Sequence, residues 1–161
     1  YIMNYILGGG GFISKLTTEI REKRGLVYSV YSYLYRYDKY NFFSGGAQTS
    51  NENVDKVIKI IKEELIKIKK EGVTKKELKN AKNYLINSYV LRLDSNKKVA
   101  SILLNTQLDG LNIDFFEKRN DYINSVSVED IKKVANRILD ENKIFFLIVG
   151  NPSNLKNINK I

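Results

Sequence analysis

Leu7-Gly8-Gly9-Gly10-Gly11-Phe12-Ile13-Ser14-Lys15-Leu16, followed by Glu19-Ile20-Arg21-Glu22-Lys23-Arg24-Gly25-Leu26-Val27-Tyr28-Ser29-Val30, is the most strongly punctuated stretch of this 161-residue chain. Four consecutive glycines interrupt an apolar run that begins at Tyr1; they permit positive φ and let a second chain approach the backbone closely. Phe12, Ile13, Leu16 and Ile20 then recur at helical spacing to about Lys23, with Gly25 placed as the stop. From Leu26 the pattern turns β-prone. Leu26 to Tyr37, a turn at Tyr37-Asp38-Lys39, and Tyr40 to Thr49 predict an antiparallel hairpin, its second strand bulged or closely approached at Gly45-Gly46. Tyr31, Tyr33, Tyr35 and Tyr37 share one side of the first strand by its two-residue period, with Tyr28 on the other.

Downstream the pattern is helical. Val54 to Lys70 carries one broad apolar face and ends at Gly72. Thr74 and Glu77 form a capping box for a helix to about Leu93. Further helices are expected over 96–108, over 114–124, and from Ser127 to near Asn142, with a turn at Asp109-Gly110-Leu111-Asn112. Lys143 to Val149 predicts a return strand, closed by Gly150-Asn151-Pro152. Strands on both sides of a helical block predict an α+β two-layer sandwich, a mainly antiparallel sheet with helices packed on one face. Three strands are few for so many helices, and the chain starts at Tyr1 already in apolar sequence. A first strand upstream of Tyr1 is therefore expected, with residues 1–161 as a single domain taken from a longer chain.

Composition removes several functions. The chain has no His, no Cys and no Trp, so it cannot by itself build a Ser-His-Asp triad, a Cys-His dyad, or a thiolate or imidazole metal site. The formal net charge of +9 comes with a bias toward Lys, Asn and Ile. Its lysine clusters are interleaved with Glu63, Glu64, Glu71 and Glu77, which reads as solvated helix faces rather than a nucleic-acid surface. No apolar run approaches the ~20 residues of a membrane span. The glycine run is not a phosphate loop, because Ser14-Lys15-Leu16 has the wrong order, nor a dinucleotide fingerprint, because Ile13 stands where the third glycine is needed. A structural kink and a ligand role both remain open for it. The tyrosine series reads as a partly buried sheet face, since no RNP-like sequence accompanies it.

The Leu7–Val30 stretch closely resembles the second, non-metal domain of the M16 (pitrilysin-like) metallopeptidases. That domain typically shows a Leu-Gly-Gly-Gly turn, a short helix with an Arg-Glu-Lys-Arg-Gly-Leu run, and then Tyr-Ser. The order of hairpin, long helices and final strand fits the same domain. The resemblance implies one lobe of a divided protease chamber whose zinc is carried by a partner domain, in the same chain or in another subunit, while this domain binds no metal. It implies Tyr28 and Arg21 as the pair facing the zinc, Tyr28 donating to the carbonyl oxygen and Arg21 holding the substrate backbone, with Arg24 competing for that second role. Gly8, Gly9, Gly10 and Gly11 would contact a peptide or small-protein substrate, and a hairpin edge could pair with it. The implied alternative is a non-catalytic structural or interaction subunit of an M16-like complex. Self-association is an expected possibility; nucleic acid and a transmembrane segment are not expected.

Overall fold

The apolar start of the chain forms a helix that the glycines widen rather than break. In the computed structural model, which describes residues 1–37 and 40–152, α1 (Ile2–Asn4) runs without interruption into a π-helical turn, Tyr5–Gly9. Gly8 lies inside this turn because the turn packs directly on the hairpin. A Cβ at Gly8 would stand 2.7 Å from the backbone nitrogen of Ser32. Gly11, at φ +62°, reverses the chain into the short 3-10 turn Gly11–Ile13. The buried Ser14 hydroxyl then donates to the Gly11 carbonyl at 2.8 Å and closes the loop. A second π-helical segment, Thr17–Glu22, ends where Gly25 adopts φ +60°.

The hairpin pairs β1 (Val27–Arg36) with β2 (Asn41–Thr49) in antiparallel register, Val30 opposite Ala47 and Tyr33 opposite Ser44. Its bulge lies in β1, between Val27 and Ser29, not at the β2 glycines. Gly45 and Gly46 are instead closely approached: a Cβ on Gly45 would meet the Tyr31 carbonyl at 2.5 Å, and one on Gly46 the Tyr31 hydroxyl at 2.8 Å. The Tyr31 ring thus covers the glycine across the strand pair. The bulge also changes which side Tyr28 takes. Strict alternation places it with Val30 and Ser32, which are buried, yet Tyr28 is 78% exposed. One extra residue resets the alternation, so Val27 and Val30 both face the core and Tyr28 does not. Tyr31, Tyr33, Tyr35 and Tyr37 do share a side and form a ladder of rings, with centroids 5.7, 4.5 and 6.0 Å apart in succession. The expected turn at Tyr37-Asp38-Lys39 falls on Asp38 and Lys39, outside the described residues.

The π-helical segments Tyr5–Gly9 and Thr17–Glu22 cover the Val27–Val30 face, and longer helices pack behind them. α2 (Val54–Glu71), α3 (Lys75–Asn87), α4 (Asn96–Leu108), α5 (Phe115–Ser125) and α6 (Val128–Ile138) follow in order, with a 3-10 turn at Val90–Arg92. Thr74 and Glu77 cap α3 as a reciprocal box, and Ser127 with Asp130 does the same for α6. α3 and α6 end before the expected Leu93 and Asn142. Leu7, Ile20, Ile68 and Ala135, from four different segments, are the inner residues of one apolar cluster. The architecture is therefore α+β, a sheet layer with helices on one side.

The return strand is the main correction. Ile144–Val149 is extended but pairs with no strand, so among the described residues the sheet has two strands, not three. The physical reason is a missing neighbour: a strand needs a ladder partner for its N–H and C=O groups. Only its apolar alternation persists. Ile144 packs against the core cluster, the Lys62 ammonium of α2 sits 5.7 Å from the Phe146 ring centroid, and Phe145, Leu147 and Val149 are exposed.

Two charged side chains lie inside this frame. Lys15 reaches across to Glu77 and adds an ion pair to the α3 capping box. Lys15→Met is expected to cost about 1 kcal/mol, since both partners are only partly shielded; a chemical denaturation midpoint identical to wild type would refute a tethering role. Glu64, on α2, is 8% exposed, and its burial raises its carboxyl above the ordinary glutamate range. A raised folded-state value means the full stability is present only when Glu64 is protonated, below its unfolded value of about 4.3, and is lost as pH rises through the folded value. Glu64→Gln should raise Tm at pH 7, with the gain shrinking toward pH 4. A pH-independent difference would disprove the assignment.

Candidate functional site

The glycine turn presents less bare backbone than its sequence suggests. Gly8 is buried against Ser32, a Cβ on Gly9 would meet the Asn4 amide nitrogen at 2.6 Å, and one on Gly10 the Tyr5 carbonyl at 2.7 Å. Only at Gly11 would a Cβ meet nothing within 4 Å, although the Gly9 backbone is also exposed. Three of the four glycines are thus required by close packing of the turn. What the turn holds out to solvent is its far end, including the Phe12 and Ile13 side chains.

Arg21 is built onto that end. Its guanidinium lies over the Phe12 ring, 4.8 Å from the centroid, a cation–π contact that holds the fork in place without consuming its donors. The acid in reach is Glu22, at a loose 3.9 Å, and the Arg21 side chain stays about a third exposed. Arg24 differs. It pairs with the Glu19 carboxylate at 2.8 Å and also donates to the Glu19 carbonyl. Hydrogen bonds from Lys23 and then Arg24 hold the Glu19 carboxyl below the usual range. Of the two arginines, Arg21 has the donors left over.

Tyr28 is the bulged residue of β1, and bulges re-aim side chains near functional sites. Its phenol stands clear of the sheet. Arg21 and Tyr28 flank the Glu22–Val27 connection, and no hydrogen bond or ion pair joins them among the described residues. Phe12 is the side chain beside the candidate residues that motif reading missed. The signal was present, since an aromatic directly after four glycines is an odd place for a core residue. As for metal, no group of three or more His, Cys, Asp or Glu side chains among the described residues is placed to hold an ion. Among the described residues the donor set does not fit a zinc site.

The family model described as the peptidase M16 inactive domain matches residues 1–85. The chain belongs to the peptidase M16 family. The M16 chain is 32% identical over 148 residues to the uncharacterized zinc protease YmxG of Bacillus subtilis, covering 91% of this chain and 36% of that protein. It is 30% identical over 150 residues to the non-peptidase homolog YmxG of Helicobacter pylori, covering 93% and 34%. It therefore spans about a third of the length of these relatives. Among solved structures, the peptidase M16 inactive domain from Pseudomonas fluorescens superposes with a TM-score of 0.80 at 32% identity, over 88% of this chain and 34% of that one. A chain of Complex III2 from Candida albicans shares the fold at a TM-score of 0.67 and 17% identity, over 84% and 34%. The M16 match runs through the glycine turn, Arg21, Arg24 and Tyr28 alike.

Proposed function

We propose that this M16 domain is the substrate-holding lobe of a zinc endopeptidase, presenting Arg21 and Tyr28 to a peptide while another domain or subunit carries the zinc. The observation that carries this reading is the coupling of Arg21 to the glycine turn through Phe12: an uncommitted guanidinium is fixed at an exposed edge by a ring that itself has no core role. Its five donors suit peptide carbonyls, and being always charged it needs no pH tuning. Tyr28 supplies a neutral donor lifted off the sheet, suited to a carbonyl oxygen on which negative charge develops. The hydrolytic chemistry would come from the zinc-bearing partner.

This reading has a direct test. The 161-residue chain supplied with zinc should cleave no peptide, and metal-dependent hydrolysis by it alone would overturn the proposal. In the complete protein, Arg21→Ala should raise KM about tenfold through lost backbone hydrogen bonds, each worth about 1 kcal/mol or more when charged. The second reading, a structural subunit without peptidase activity, is supported by the Helicobacter pylori relative named as a non-peptidase homolog. It predicts that Arg21→Ala and Tyr28→Phe change nothing but are tolerated.

A further inference from the structure

Two buried hydroxyls stand where the three parts of the candidate site meet. Ser14 is 1% exposed and Thr17 4%, in a stretch whose neighbours Leu16 and Ile20 belong to the core. Their side-chain oxygens lie 2.9 Å apart. On one side the Ser14 hydroxyl donates to the Gly11 carbonyl, directly before Phe12 in the chain. On the other, the Thr17 hydroxyl donates to the Val30 carbonyl, two residues past Tyr28, at a looser 3.4 Å. Thr17 also opens the π-helical segment Thr17–Glu22 that carries Arg21. One hydroxyl pair thus touches the turn that bears Phe12, the segment that bears Arg21 and the strand that bears Tyr28.

The strand needs such a tie at this point. A bulge leaves one residue out of the ladder and disrupts the pairing around it. Here the bulge is bracketed by side chains: the Thr49 hydroxyl donates to the Leu26 carbonyl at 2.5 Å before it, and the Thr17 hydroxyl reaches the Val30 carbonyl after it. The arginine-bearing segment is held from its far end, where the Leu26 amide donates to the Ile20 carbonyl at 3.0 Å and the Gly25 amide to the Arg21 carbonyl at 2.8 Å. Stability alone does not call for a hydroxyl at position 17. Without it Ser14 keeps its Gly11 partner and only a long bond to Val30 is lost, so a valine of the same shape would cost the fold little. Ser14 differs, because its oxygen also accepts from the Thr17 amide at 3.4 Å in the manner of a helix cap.

We infer that Thr17 is a positioning residue, its hydroxyl setting the spacing of Arg21 and Tyr28 by clamping the π-helical segment and the glycine turn to the bulged strand. The inference rests on the substrate-holding reading and adds to it the means by which two side chains with no bond between them keep one arrangement. Every contact it uses lies within Gly11–Thr49.

The complete protein, isotope-labelled at arginine, tests this without any cleavage. A guanidinium held over a phenyl ring has its side-chain protons shifted upfield by the ring current, and Phe12→Leu identifies the Arg21 signal by abolishing that shift. Thr17→Val should lose most of the shift with Tm close to wild type, while Thr17→Ser, which keeps the hydroxyl, should retain it. In steady-state hydrolysis of casein, Thr17→Val should lower kcat/KM about tenfold through misplacement of the two side chains. In an Arg21→Ala background its further effect should be smaller, since one of the two is already gone. An unchanged Arg21 shift in Thr17→Val would overturn the positioning role. Equal loss of the shift in Thr17→Ser would also overturn it by assigning the effect to packing, and a Thr17→Val melt well below wild type would do so by making the hydroxyl a stability element. These failures are separable from failure of the lobe proposal. Turnover losses in Arg21→Ala with an intact shift in Thr17→Val would reject the clamp alone, whereas a lost shift with silent Arg21 and Tyr28 variants would keep the clamp and reject the lobe.

Discussion

Tyr28→Phe in the complete protein is expected to lower kcat about 100-fold, with KM and stability close to wild type. The size follows from the role: losing one preorganised donor to a developing oxyanion typically costs 10²–10³ in kcat. The selectivity follows from the structure. The Tyr28 side chain is 78% exposed and packs nothing whose loss would unfold the domain, so deleting one oxygen removes a donor and little else. A donor used only in the transition state lowers kcat and kcat/KM together and leaves ground-state binding alone. Steady-state kinetics beside a thermal melt decide the matter. Unchanged kcat at unchanged Tm would remove Tyr28 from the site and leave the domain a scaffold.

The largest effect on folding is expected at Gly8, not at the exposed end of the same turn. Gly8→Ala places a methyl group 2.4 Å from the Ser32 hydroxyl oxygen and 2.7 Å from the Ser32 backbone nitrogen. The side chain could swing away, although it is itself buried and donates to the Asn4 amide oxygen at 2.8 Å; the backbone of a paired strand cannot move without disturbing the hairpin. Overpacking of this kind costs about 3 kcal/mol, which lowers Tm by about 6–12 °C in a domain of this length. Gly11→Ala is the control. It meets no atom within 4 Å and pays only for its positive φ, about 1 kcal/mol. Equal melting temperatures for the two variants would mean that the close packing of the π-helical turn on β1 is wrong. A Gly11→Ala variant with normal stability and impaired turnover would assign the tip of the loop to substrate.

How much of this was legible in the sequence depends on range. Short-range grammar was readable: Gly25 and Gly72 as stops, the Thr74–Glu77 box, the hairpin and the tyrosine ladder all depend on neighbours within a few residues. The motif Leu7–Val30 also located the family. Two things were not readable. Strict alternation misplaces Tyr28, because one unpaired residue in β1 resets the count and the partner strand lies some twenty residues away. The segment Ile144–Val149 has every local mark of a strand; whether it joins a sheet depends on what lies alongside. Arg24 and Arg21 illustrate the same limit at the site. They sit three positions apart in one motif, and only the tertiary placement of Glu19 and Phe12 separates the occupied arginine from the available one.

The extended segment has a consequence for the life of the chain before and after folding. Ile144-Phe145-Phe146-Leu147-Ile148-Val149 is six consecutive β-prone residues with no charge and no proline, the composition of a fibril-forming seed. In the folded protein α2 shields one flank, leaving Val149 94% exposed on the other. Lys143 on one side and the Gly150-Asn151-Pro152 sequence on the other then serve as gatekeepers, a charge and a ring that cross-β stacking tolerates poorly. Replacing them would disturb only surface contacts, the Lys143–Asp140 pair and the Asn151–Asn51 hydrogen bond, and still shorten the time the protein stays in solution.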